Sequence, residues 1–179
     1  MLSYFELRNG VQFILEGQPY EVLEFKQMGK SQDVVVAQTR IRNLITGRVL
    51  QKNFHQSDKF EEAETSKVQM KYLYNHRGKY VFCQVNDPSK RPEFTKEQVG
   101  ENIQFVKSNE IVTALVFQDK IIRISFPVKV QLKVTDAPPG FKGDTAQGGT
   151  KLVTLETGAT VQAPLFIDTG DILEINTDK

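Results

Sequence analysis

Val11-Gln-Phe-Ile-Leu15, Glu16-Gly-Gln-Pro19, Tyr20-Glu-Val-Leu-Glu-Phe25: two apolar runs flank a short stretch that carries glycine and proline. Runs of five or six residues rich in Val, Ile, Phe and Tyr suit half-buried strands. Gly17 and Pro19 punctuate them as turn residues do, so the segment reads as a β-hairpin. Val34–Ile41 continues the pattern with β-branched residues, and Leu44-Ile-Thr-Gly47 turns the chain into Arg48–Phe54. Short strands and tight turns packed so densely predict a small barrel of the SH3-like kind.

Outward from this hairpin the pattern stays β. His55–Ser66 is polar and acidic and reads as a connection, so the first domain is placed at residues 1–64. Val68–Tyr74 and Lys79–Val85 flank Asn75-His-Arg-Gly78, a hairpin loop of four residues. Asp87–Pro92 is a loop by its two prolines, and Thr95 with Gln98 has the form of a capping box that starts a short helix running toward Lys107. Ile111–Phe117 and Ile121–Phe126 are again strands. Five strands with a helix after the third match an OB-fold over residues 65–126. In Pro127–Thr135 the residues Val128, Val130, Leu132 and Val134 alternate with Lys129, Gln131, Lys133 and Thr135, the period of a strand with one buried face. A Gly/Pro-rich loop, Ala137–Gly149, interrupts a third domain at 127–179, which Lys151–Leu155, Thr160–Phe166 and Asp171–Ile175 complete. The fold class is all-β.

Composition narrows the function. A chain with 39% hydrophobic and 25% charged residues is an ordinary globular one. Cys83 is the single cysteine, which excludes an intramolecular disulfide and argues against a Cys-based zinc site. No stretch reaches the roughly 18 apolar residues of a membrane span, and the N-terminus lacks the pattern of a secretion signal. The simplest expectation is a cytoplasmic protein with no membrane partner. Lys+Arg 23 against Asp+Glu 22 gives a net charge of +1, so global charge offers no support for a nucleic-acid partner. Locally, Arg40–Lys52 holds Arg40, Arg42, Arg48 and Lys52 and no acid, before Asp58, Glu61, Glu62 and Glu64 cancel it.

Catalytic chemistry finds few candidates. His55 and His76 stand alone in polar segments with no second ligand at metal spacing, and Cys83 lies in an alternating strand as a small buried hydrophobe would. Gly143-Asp-Thr-Ala-Gln-Gly-Gly149 lacks the Gly-Lys-Ser/Thr ending of a phosphate loop, so no nucleotide cofactor follows. No cofactor and no metal are expected, and the chain does not read as an enzyme. Two loops remain: Gln27-Met28-Gly29-Lys30-Ser31-Gln32, which projects a lysine, and Gly143–Gly149, whose small residues allow close approach to a partner.

Gly143-Asp-Thr-Ala-Gln-Gly-Gly-Thr-Lys-Leu-Val-Thr-Leu-Glu-Thr-Gly-Ala159 and Ala163-Pro-Leu-Phe-Ile-Asp-Thr-Gly170 resemble the signature of bacterial elongation factor P. Leu7–Gly10, Gly17–Val22, Glu24-Phe25, Arg42–Gly47 and Tyr72–Tyr74 stand in family order, so the resemblance covers the whole chain. It implies three small β-barrels, an SH3-like (KOW-type) domain followed by two OB-folds, in an L shape that mimics tRNA. It also implies binding to the 70S ribosome between the P and E sites and rescue of stalling on consecutive prolines. Lys30 stands at the family's modified position, so the expected partners are P-site peptidyl-tRNA and a lysine-modifying enzyme. A monomer is expected. The third-domain loop (Gly143, Asp144, Thr145, Gly148, Gly149) maps to the ribosome-facing loop near the E-site codon. Arg40, Arg42 and Arg48 are the candidates for RNA phosphate contacts.

The departures from the family pattern bear on the first loop. Many members read Lys-Pro-Gly-Lys-Gly where this chain has Gln27-Met28-Gly29-Lys30-Ser31, and Asp33 replaces a common alanine. Without the proline, φ is free at Met28, which alters the stiffness of the loop and what a modifying enzyme reads. The chain stops at Thr177-Asp-Lys179, before the family's usual Gly-x-Tyr tail, so a contact made by that tail is expected to be absent. Two rivals stand beside this reading. One is an enzyme with an unrecognised site; the other is a sequence-tolerant single-stranded RNA-binding OB protein that stacks bases on Tyr72, Tyr74, Tyr80 and Phe82.

Overall fold

The computed structural model describes residues 1–29, 35–140 and 148–178. Lys30, Ser31, Gly143, Asp144 and Thr145 lie outside the described residues. Fifteen strands form three sheets, with one short α-helix and two 3-10 turns among the described residues.

The first sheet comprises β1 (Leu2–Ser3), β2 (Gln12–Leu15), β3 (Gln18–Gly29), β4 (Val35–Asn43), β5 (Val49–His55) and β6 (Lys59–Glu62), in the order β1-β6-β2-β3-β4-β5. The β2–β3 hairpin closes through Glu16 and Gly17, both at positive φ (52° and 77°), which matches the twist of the strands it joins. β3 and β4 alternate: Val22, Ala37, Ile41 and Thr39 are buried, and Gln38 and Arg40 are exposed. Inside, Phe13 is fully buried and meets Phe54 and Phe60 edge-to-face, at centroid distances of 5.8 and 5.2 Å. Such pairs add about 0.5–1.5 kcal/mol each to the burial of the rings.

Two readings change here. His55–Ser66 is not a bare connection, because it contains β6, which pairs with β1 and β2. Met28 and Gly29, expected in the loop, are instead the last residues of β3, paired with Val36 and Val35. In both cases backbone pairing, of β6 with the remote β1 and β2 and of Met28 and Gly29 with the neighbouring β4, supplies order that side-chain pattern does not signal.

The second sheet is built from β7 (Thr65–His76), β8 (Lys79–Gln84), β9 (Glu93–Thr95), β10 (Ile111–Phe117) and β11 (Lys120–Ser125), in the order β11-β10-β7-β8-β9. The β7–β8 turn is tighter than expected: His76 pairs with Lys79, leaving only Arg77 and Gly78, both at positive φ. After β9, α1 (Lys96–Val99) opens on the Thr95/Gln98 capping box, with the Thr95 N–H donating to Gln98 Oε1 at 2.9 Å. It ends at Gly100, whose φ of +87° is left-handed, and a 3-10 turn, Glu101–Phe105, follows. The helix therefore does not run on to Lys107.

The third sheet holds β12 (Lys129–Asp136), β13 (Thr150–Leu155), β14 (Thr160–Pro164) and β15 (Ile172–Asn176), in the order β14-β13-β12-β15. Val130, Leu132 and Val134 are buried as the alternation predicts, with Val153, Leu155, Ala159, Ala163 and Ile167 around them. Val128 is half exposed because it precedes the strand. Phe166 lies beyond β14 and is 78% exposed.

The chain forms two compact units, Met1–Val68 with Ala114–Arg123, and Gln69–Thr113 with Ile124–Lys179. Within the second unit, Phe105 packs on the core of the third sheet, and Asn102 donates to the Thr177 carbonyl. No helix among the described residues is long and apolar enough to cross a membrane.

Candidate nucleic-acid interface

The outer face of β3, β4 and β5 carries Arg40 and Arg42, whereas Arg48 lies in the turn before β5 and Lys52, paired with the buried Thr39, is on the opposite face of β5. Alternation turns Arg40 and Arg42 outward, opposite Glu24 and Glu21 on β3 and Gln51 and Val49 on β5. Between these strands lies an open concavity of about 370 Å³, lined by polar groups that include Lys26, Gln38, Arg40 and Asn53.

The four cations are not equivalent. Arg40 Nη1 donates to Glu24 Oε1 at 2.8 Å, and Lys52 Nζ stands 3.6 Å from Glu16 Oε1. Both pairs are solvent-exposed and worth about 0–1 kcal/mol. Arg42 and Arg48 have no carboxylate partner within 4 Å among the described residues.

Arg42 and Arg48 are held at the two ends of one turn, which Asn43 organises. The buried Asn43 Oδ1 accepts the N–H groups of Ile45 and Thr46, both at 2.9 Å, and its Nδ2 donates to Gln18 Oε1 at 2.6 Å. Its backbone closes the loop: Asn43 N–H donates to the Arg48 carbonyl and Gly47 N–H to the Asn43 carbonyl, both at 2.8 Å. Asparagine suits this place because its short side chain mimics a backbone acceptor. Gly47 sits at φ +74°, which other residues adopt only with strain.

The β3–β4 ladder extends past the core. Lys26 to Gly29 are all exposed yet remain paired, ending at Gly29↔Val35, next in sequence to Lys30. Toward the other end of the chain, Gly148 is exposed at φ +28°, with no atom of the described residues beyond its chain neighbours within 4 Å of a Cβ built on it, and Gly149 is half-buried. These glycines and the arginines belong to different units.

Comparison with known proteins gives matches to three family models along the chain. They are an elongation factor P KOW-like domain at residues 3–60, an elongation factor P OB domain at 65–124, and an elongation factor P C-terminal domain at 130–179. The chain is 40% identical over 177 residues to elongation factor P of Carboxydothermus hydrogenoformans, covering 99% of this chain and 95% of that protein. The chain belongs to the elongation factor P family. Elongation factor P of Acetivibrio thermocellus is 39% identical, again across 99% of this chain and 95% of that protein. Among solved structures, "Eukaryotic translation initiation factor 5A from Methanococcus jannaschii" aligns with a TM-score of 0.53 at 13% identity, over 69% of this chain and 92% of its own, a likeness of fold.

Membership in the elongation factor P family makes the chain a non-enzymatic translation factor, built from an SH3-like (KOW-type) barrel and two OB-folds. Among the described residues no group of His, Cys, Asp or Glu is placed to hold a metal. The aromatic platform of the RNA-stacking rival is largely core. Tyr72 and Phe82 are buried with ring centroids 5.3 Å apart, and only Tyr74 of the four is exposed. Sequence reading missed Asn43, whose role needs the Gln18 partner from another strand.

Proposed function

We propose that the protein binds the 70S ribosome between the P and E sites and promotes peptide-bond formation on consecutive prolines by positioning P-site peptidyl-tRNA through Lys30. The observation that carries this reading is the exposed ladder of β3 and β4. Five residues from Phe25 to Gly29, at about 3.4 Å per residue, extend roughly 13 Å from the edge of the core. Lys30 follows in sequence directly on the end of this paired, two-stranded arm. The compact ammonium of lysine, on its flexible stem, offers three donors to RNA oxygens.

Proline supplies the need. Its ring fixes φ and makes its nitrogen a constrained secondary amine, so successive prolines hold the reacting ends out of attack geometry. Realigning them recovers part of an entropic term that reaches about 7–11 kcal/mol in favourable intramolecular reactions. Arg42 and Arg48, and Arg40 when it leaves Glu24, supply phosphate contacts that fix register without reading sequence. Gly148 and Gly149, with Gly143, Asp144 and Thr145, supply the third domain's contact with the ribosome. The working division is 1–64, 65–126 and 127–179. The protein acts as a monomer in the cytoplasm, and a lysine-modifying enzyme extends Lys30.

Lys30→Ala in a translation system with a triple-proline reporter tests the assignment. Loss of rescue with the melting temperature unchanged is the expected result; full reporter activity from the mutant removes Lys30 from the mechanism.

A further inference from the structure

Arg123, on β11, reaches the Gly47 turn within the first unit. A Cβ built on Gly47 would lie 3.7 Å from Arg123 Nη1 and 3.9 Å from both Cζ and Nη2. Near-equal distances to three atoms of a planar group mean that the turn meets the face of the guanidinium. An edge-on approach would leave Cζ well behind the nitrogens. The in-plane N–H donors therefore point past the turn rather than into it. Arg123 is half-buried, and among the described residues it makes no ion pair and no side-chain hydrogen bond. Its position differs from that of Arg40, whose guanidinium is engaged by Glu24 at 2.8 Å.

The same turn carries Arg48 directly after Gly47 and, through Asn43, Arg42 at its other end. Arg42 and Arg48 thus flank the turn and Arg123 approaches it from β11, and no carboxylate oxygen lies within 4 Å of the charged nitrogens of any of the three among the described residues. A guanidinium that presents its face to the turn keeps its in-plane fork of donors available, and that fork matches two phosphate oxygens. We propose that Arg123 is a further RNA-contacting residue, which grips a backbone phosphate beside Arg48 at the Gly47 turn. The inference rests on the ribosome-binding reading above and adds to it a residue from a remote part of the chain.

The test uses the full-length protein and 70S ribosomes carrying tRNA in the P site, with the dissociation constant measured across a range of salt. Arg123→Gln keeps a planar amide over the turn and removes the charge. It is expected to weaken binding roughly tenfold at low salt and to lower the slope of log affinity against log salt by about 0.7–0.9, the value of one lost phosphate contact. Arg123→Lys is expected to restore the slope and only part of the affinity, since the fork is lost. Wild-type protein that binds with a steep salt dependence, beside an Arg123→Gln variant of identical slope, overturns the role of Arg123 and leaves the ribosome reading standing. A lower melting temperature with that unchanged slope makes Arg123 a staple of the turn and likewise overturns it. Wild-type protein that does not bind ribosomes overturns both.

Discussion

Replacing Asn43 with alanine isolates what one side chain contributes to the arginine-bearing turn. The substitution removes three hydrogen bonds, to Ile45, Thr46 and Gln18 at 2.9, 2.9 and 2.6 Å, and leaves the two backbone bonds of the same residue intact. At about 0.5–1.5 kcal/mol net for each bond, the sum is about 1.5–4.5 kcal/mol. Ile45 and Thr46 are exposed, so water takes up their freed amides and the loss falls near 2–3 kcal/mol. In a protein of this size 1 kcal/mol moves the melting temperature by about 2–4 °C. Scanning calorimetry should therefore record a fall of roughly 5–10 °C. Gln18→Ala removes one of the three bonds and should cost about a third as much. An Asn43→Ala variant that melts within a degree of wild type would show that backbone bonds alone hold the turn, and Asn43 would lose its organising role.

In protein isolated from its native host, peptide mass analysis should find an increment on the peptide containing Lys30 and none on Lys26; unmodified yet fully active material would show that the lysine alone suffices. Gly148→Val together with Gly149→Val should weaken ribosome binding while modification of Lys30 continues; unchanged affinity in the folded double variant makes that loop a plain turn. Phe13→Ala, at a fully buried ring, should lower unfolding free energy by about 3–5 kcal/mol in urea titration, and a loss below 1 kcal/mol would contradict the packing of Phe13 against Phe54 and Phe60. Hydrogen bonds from the Ser3 hydroxyl and backbone N–H hold the Glu6 carboxyl below the usual carboxylate range. A depressed folded value adds stability above the ordinary carboxylate pKa that is lost as pH falls through the folded one. Ser3→Ala should raise the Glu6 midpoint in an NMR titration, and an unmoved midpoint would remove Ser3 as the cause.

Much of the architecture is legible in side-chain pattern because alternation and turn chemistry are local. Val130, Leu132 and Val134 follow the period of two into the third core, and Glu16-Gly17 closes the first hairpin as its composition suggests. The failures have a common cause. β6 buries only Phe60 of its four residues, so its strand character comes from the edges of β1 and β2, which no local window contains. Met28 and Gly29 are likewise strand residues only because Val36 and Val35 lie opposite them. Helix propensity beyond Val99 is overruled by a single glycine at positive φ.

The candidate site shows the same division between composition and register. Along Arg40–Lys52 the sequence presents four equivalent cations. Strand pairing places Glu24 across from Arg40 and Glu21 across from Arg42, and the fold brings Glu16 to Lys52; among the described residues Arg40 and Lys52 form ion pairs, while Arg42 and Arg48 have no carboxylate oxygen within 4 Å. A net charge of +1 is a sum over the whole chain and therefore does not exclude a local RNA-binding face. The exposed Arg40–Glu24 pair need not be a barrier either. Breaking it costs no more than about 1 kcal/mol, whereas a charge-assisted bond to phosphate returns about 1.5–3 kcal/mol. On the proposed ribosome binding, Arg40 would be a conditional contact, engaged by Glu24 in the free protein and by phosphate in the complex. Glu24→Gln should accordingly tighten ribosome binding by a few fold at low salt, through an arginine already released, and should do nothing when Arg40 is alanine.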